Sequence, residues 1–233
     1  MKVILKTLLI ILCFVCVSDI DAQIGLRRKL FHEFRMGLNS SEMDIKGANR
    51  DKKVKKGFHF GYVGTYKFME PFQVQTGIFL TKKGMKQSID RRTESAIGTD
   101  ITYERTRYEI DANYVQIPLM IGWETDYDKE WVFNINAGVY GAWGFKGRTK
   151  KNMRIEEIIG EGYEPAITYE NSNIRTFTKS VLKKFDYGVL INAGVIYDVY
   201  LLNVSYEYGL YNVSQVDPEL RNRNLTLSIG LRF

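Results

Sequence analysis

The sequence predicts an all-β chain: an eight-stranded antiparallel transmembrane β-barrel with short periplasmic turns and long extracellular loops. Three observations predict it. The chain opens with an export signal, period-two alternation recurs eight times, and the connections alternate between short turns and long polar segments. The alternation is clearest in the last strand. There Leu225, Leu227, Ile229, Leu231 and Phe233 share one face, and Asn224, Thr226, Ser228, Gly230 and Arg232 share the other. One face suits hydrocarbon and the other a packed polar interior, so Leu227, Ile229, Leu231 and Phe233 read as the C-terminal strand signal of an outer-membrane barrel.

Residues 1–22 read as a cleaved signal peptide and 23–233 as the barrel domain. Lys2 and Lys6 precede an apolar run from Leu8 to Val17, then Ser18, Asp19 and a small residue at Ala22. The run is about half of the ~20 apolar residues that a spanning helix needs, which argues against a membrane anchor. Both cysteines, Cys13 and Cys16, fall inside it. The remainder must therefore hold together through a core or a membrane, without disulfides. A net charge of +6 on an exported chain does not imply a nucleic-acid partner. The mean hydropathy of -0.24 suits a soluble protein. Alternating strands, however, hide from such sums.

The first strand, near Phe31 to Ser40, opposes Phe34, Met36 and Leu38 to Glu33, Arg35, Gly37 and Asn39. The second opposes Phe58, Phe60, Tyr62, Tyr66 and Phe68 to His59, Gly61, Val63, Thr65 and Lys67. After a turn at Met69 to Pro71, the third sets Phe72, Val74, Ile78 and Leu80 against Gln73, Gln75, Gly77 and Thr81. The fourth, Tyr114 to Glu124, presents Val115, Ile117, Leu119, Ile121 and Trp123 to lipid. The fifth answers with Trp131, Phe133, Ile135, Ala137, Val139 and Trp143 against Asn134, Asn136, Gly138, Tyr140 and Ala142. The sixth (Phe185 to Tyr197) and the seventh (Tyr200 to Leu210) are joined by about two residues, and the eighth closes the count.

Residues 41–57, 82–113, 146–184 and 212–223 remain as long polar loops, which places both termini in the periplasm. Residues 146–184 could instead add a hairpin above the membrane. Pro118 lies inside a strand and removes a ladder hydrogen bond, so a bulge or local break is expected there. Alternation alone does not say which face points inward, and a soluble lipocalin-type barrel is the competing fold. Its wet face would carry mostly charges. Here the polar face is mostly Asn, Gln, Ser, Thr, Gly and Tyr, and Phe68, Phe72, Trp123, Trp131, Tyr197, Tyr200 and Phe233 gather beside the short turns as an interfacial belt does.

Several segments, in this order, carry a family resemblance: Met36-Gly37-Leu38-Asn39-Ser40, Thr81-Lys82-Lys83-Gly84, Tyr114-Val115-Gln116-Ile117-Pro118-Leu119, Ala137-Gly138-Val139-Tyr140, Phe185-Asp186-Tyr187-Gly188 with Ala193-Gly194, and Tyr206-Glu207-Tyr208-Gly209-Leu210. The chain resembles the small outer-membrane β-barrel domain family, the porin family with its PorT-like outer membrane proteins. The resemblance implies the fold and the outer-membrane location, and it makes Pro118 an expected strand residue. It implies no activity.

Eight strands enclose a lumen that side chains fill, here Tyr140, Gln73, Gln75, Asn134, Asn136 and Asn192. Inward-facing Glu33, Arg35, Lys67, Glu124 and Arg232 come to similar depth near the short turns, where unpaired charges would be costly, so an interlocked ion-pair cluster is expected. His32 and His59 fall at opposite ends of the barrel, and no cysteine is available, so neither a metal nor a cofactor is expected. His59 lies near Ser40 and Ser41 but faces inward, with no catalytic spacing, and the chain is read as no enzyme. The basic run from Asp44 to Lys56 is a solvated surface or a grip for outer-leaflet phosphates. The expected partners are outer-membrane lipid including lipopolysaccharide, the barrel-assembly machinery, and an unknown protein through the loops. The expected role is structural or surface-interacting. The alternative is a narrow porin or an accessory of an outer-membrane transport or secretion machine.

Overall fold

A computed structural model describes residues 29–45, 52–94, 100–127, 130–159 and 166–233. The signal peptide and its boundary lie outside the described residues. Among the described residues ten strands form: β1 (Leu30–Ile45), β2 (Lys52–Lys53), β3 (Lys55–Met69), β4 (Phe72–Glu94), β5 (Asp100–Asp126), β6 (Trp131–Ile159), β7 (Ala166–Arg175), β8 (Phe185–Tyr197), β9 (Tyr200–Gly209) and β10 (Leu220–Arg232). Eight of them close a barrel. Each of β1, β3, β4, β5, β6, β8, β9 and β10 pairs antiparallel with the next, and β1 joins β10 from Glu33 opposite Arg232 to Ile45 opposite Leu220. Closure leaves no sheet edge to face hydrocarbon, where an unpaired amide is expensive. Among the described residues, the short strands β2 and β7 pair only with β4 and β6, respectively, and lie outside this ring.

The alternation sorts by environment. Phe60, Ile78, Ile121, Ile135, Val204 and Leu227 point outward and are exposed, whereas Thr65, Gln75, Asn136 and Thr226 are buried inside. Aromatic rings gather beside the short turns: Trp131 lies 4.8 Å from Tyr197 and Phe68 lies 6.4 Å from Phe72. The β8–β9 turn is tight, and Asp198 adopts a left-handed φ of 53° there.

One reading needs correction. Residues 82–94, 100–113 and much of 146–184 are not loops, because β4, β5 and β6 run for 23, 27 and 29 residues. About 9–11 residues suffice for a membrane strand. These strands therefore rise well beyond the apolar band, and β7 adds a hairpin arm to β6. The local break expected at Pro118 is present on one side of the strand, without a bulge. Pro118 keeps its pairing with Tyr140 on β6. On the β4 side the ladder lapses beside it, but Thr76 opposite Leu119 and Phe79 opposite Gln116 hold one register. The Thr76 hydroxyl there donates to the Pro118 carbonyl at 2.9 Å. The bulge falls higher, where Asn113 faces Lys146 and Tyr114 faces Gly144. Phe145 is the extra residue, and it switches the inward phase of β6 from Tyr140 and Ala142 to Thr149.

Candidate functional site

The lumen is stacked in four layers. Nearest the short turns, all five charged residues singled out in the sequence form one chain of contacts. Arg35 donates through Nε to Glu33 at 2.7 Å and through Nη2 to the same oxygen. Arg232 Nε lies 3.6 Å from the other Glu33 oxygen, and its Nη1 donates to Glu124 at 2.8 Å. Lys67 completes the chain at 2.6 Å from Glu124. Register explains the meeting, because Glu33 lies opposite Arg232 across the closing seam. This end opens into a vestibule of about 550 Å³ lined in part by Lys67, Glu124, Asp126 and Arg232.

The second layer is made of amides. Gln73 donates to Asn136 at 2.9 Å, and Asn136 donates to Asn134 at 3.1 Å and to Asn192 at 2.9 Å. Gly122 makes room for it, because a β-carbon there would overlap the Asn136 amide. Gln75 is also buried at this depth, and Asn192 reaches the Met120 sulfur.

Of the third layer only Tyr140 was read from the sequence. Lys83, fully buried, reaches Glu207 at 2.8 Å and Asp186 at 3.4 Å. Tyr140 and Asn222 donate to Asp186 at 3.2 and 2.9 Å, and Gln116 donates to Glu207 at 2.8 Å. The ammonium also lies 4.3 Å from the Tyr140 ring centre, a cation–π distance. A signal for this layer was present: Asp186 and Glu207 are single acids between outward aromatics, Phe185 and Tyr187 in one case and Tyr206 and Tyr208 in the other. Alternation turns them inward.

The fourth layer is apolar. Met43, Met85, Ile110, Leu182, Val213 and Leu220 pack above the lysine network. A bridge between Leu182 and Ser214 ties two connecting segments across the mouth.

The histidines take separate places. His32 hydrogen-bonds the Tyr62 hydroxyl and stacks toward Phe233, while buried His59 stacks on Phe79 at 4.3 Å. Ser41 Oγ accepts from the Gly84 amide at 3.1 Å and donates to the Arg223 carbonyl at 3.4 Å. No hydrogen bond joins His59 to Ser40 or Ser41 among the described residues. Beyond the apolar band, Lys55 lies 2.9 Å from Glu109 and 2.6 Å from Asp111. The Lys55 hydrogen bond holds the Glu109 carboxyl below the usual range despite desolvation. Burial alone would raise Asp111, but hydrogen bonds from Lys55 and Lys82 bring it below its usual value.

The sequence comparison shows the class of protein. A profile of the outer membrane protein beta-barrel domain matches residues 22–215. No curated protein matches the chain. Among solved structures, the attachment invasion locus protein Ail of Yersinia pestis is similar at 16% identity and a TM-score of 0.37, over 88% of this chain and 100% of that one. OprG of Pseudomonas aeruginosa gives 13% identity and a TM-score of 0.43 over 90% and 98%. Neisserial surface protein A gives 11% and 0.37 over 88% and 98%.

Proposed function

Because the chain belongs to the outer membrane protein beta-barrel domain family and so lies in the outer membrane, we propose that it is a filled, non-conducting barrel. Its role is structural and surface-interacting. One observation carries this reading: side chains block the lumen from the Glu33–Arg232 pair to the Leu182 and Val213 cap. An eight-stranded barrel leaves no room for an aqueous path past such layers. The reading places both termini in the periplasm, with the tall β4–β7 wall facing the cell exterior. The C-terminal strand from Leu227 to Phe233 then serves the barrel-assembly machinery as its recognition element.

The outward face of that wall is the interacting surface, and outer-leaflet lipid including lipopolysaccharide is its first partner. Arg148 stands directly opposite Arg175, and Lys146 and Lys150 flank Arg148 on the same strand. Like charges placed opposite one another cost up to ~1 kcal/mol. Phosphates relieve that repulsion by charge-assisted hydrogen bonds. No catalytic role enters this reading, because the Ser41 hydroxyl is engaged by backbone and His59 by an aromatic ring.

Conductance tests it. Purified barrel in a planar bilayer should pass almost no current, and stepwise openings in the wild-type protein would overturn the reading in favour of a narrow porin. Unheated protein on a gel should migrate apart from boiled protein, which establishes that the barrel tested is folded.

A further inference from the structure

The β4–β7 wall and the segments that cross the barrel mouth enclose a cup of about 490 Å³ above the sealed lumen. Met85, Ile89, Ile110, Ile174, Val181 and Val216 line it. Two features separate this cup from an ordinary surface dip. First, it lies beyond the apolar band, where outward positions are mainly charged, yet Ile174 and Val216 hold 44% and 54% of their surface open to water. Apolar surface left wet at a concave site marks a place for a ligand. Second, the charges on its lining are unequal. Arg91 and Lys151 face Asp217 as the other charged group, and neither cation forms an ion pair among the described residues.

The walls are formed in advance. Asn212 Oδ1 accepts from the Ser214 and Leu220 amides at 2.9 and 3.0 Å, and the Gln215 amide donates to the Val181 carbonyl at 3.0 Å. The floor is dry, because Leu182 and Val213 are buried beneath it. A ligand would therefore enter and stop there. The volume lies within the ~300–1,000 Å³ range of small-molecule sites. A chain of CH₂ groups gains from covering the wet isoleucine and valine surface. The excess cationic charge selects the head.

We propose that this cup binds a single-chain monoanionic amphiphile of the fatty-acid class, its tail against Ile110 and Ile174 and its carboxylate at Arg91 and Lys151. The test uses methyl-labelled protein in lipid nanodiscs titrated with dodecanoate, with dodecanol and dodecyltrimethylammonium in parallel. Dodecanoate should give saturable shifts at Met85, Ile89, Ile110 and Ile174, while Ile135 on the lipid face stays silent or drifts without saturating. A double variant, Arg91→Gln with Lys151→Gln, should weaken dodecanoate roughly tenfold and leave dodecanol unchanged. Shifts confined to Ile135, equal binding of the three probes, or dodecanoate affinity untouched by the double variant would each overturn the proposal. Because the cup lies above the lumen seal, conductance and this titration fail independently.

Discussion

Below the bulge at Asn113 and Tyr114, the barrel is apolar outside and polar inside. Above it, the same strands are charged outside and apolar inside. β4 shows the exchange along one strand. Gln73 and Gln75 point inward near the short turns, while Ile78 and Leu80 meet lipid. Further up, Met85 points inward and Lys82 and Lys86 turn outward. β1 repeats it, with Glu33 and Arg35 inside at one end and Met43 and Ile45 at the other. Along β1 and β4 the period never changes. Only the solvent does, and the side chains follow it.

Removing the Lys83 charge should break the lower region most severely. Lys83→Leu leaves Asp186 and Glu207 buried without their cation, a loss of about 3–5 kcal/mol. Urea unfolding in lipid vesicles should show it, and an unchanged midpoint would mean that the polar interior is not held by this network. Next comes a matched truncation. Met43→Ala empties space in the apolar upper core and should cost about 2–5 kcal/mol, because protein neighbours refill a cavity poorly. Leu227→Ala faces fluid acyl chains that refill the gap, so its cost should be well under half of that; equal costs would erase the distinction between the two solvents.

A charge should separate the regions as well. Leu227→Arg near the bilayer midplane is expected to cost about 2–4 kcal/mol in vesicle unfolding. By contrast, Lys150→Leu on the wet outer face should stay within about 0.5 kcal/mol. The smallest effect is one of pH. Glu109 and Asp111 are held below their ordinary values by Lys55 and Lys82. Their contribution is therefore present above the ordinary carboxylate range and lost as pH falls through the lowered values. Proteolysis of the upper wall should quicken between about pH 5 and about pH 3 while the membrane strands stay resistant. Equal protection throughout would dissociate these pairs from the stability of the wall.

The membrane strands were legible because one side of each must be hydrocarbon-compatible along its whole length. The five-residue charge cluster was legible for the same reason, since alternation alone fixes which residues share the interior. What escaped was everything governed by water. In Lys82 to Asp90 and Arg148 to Arg154, charged residues are mixed with apolar and neutral ones, which resembles a loop when hydrocarbon is the expected surroundings. Phe145 deepened the error, because Trp143-Gly144-Phe145-Lys146 breaks the alternation and reads as a strand end when it is a bulge. The Lys83 layer escaped differently: its members lie on six strands, and only closure of the barrel brings them together.

Phe145 also bears on how this protein can diversify. Deleting that one residue would rotate the rest of β6 by half a pleat, sending Arg148 and Lys150 inward and Thr149 to the exterior, while Trp131 to Trp143 stayed as they are. A single codon thus separates two wholly different distal surfaces on an unaltered embedded cylinder.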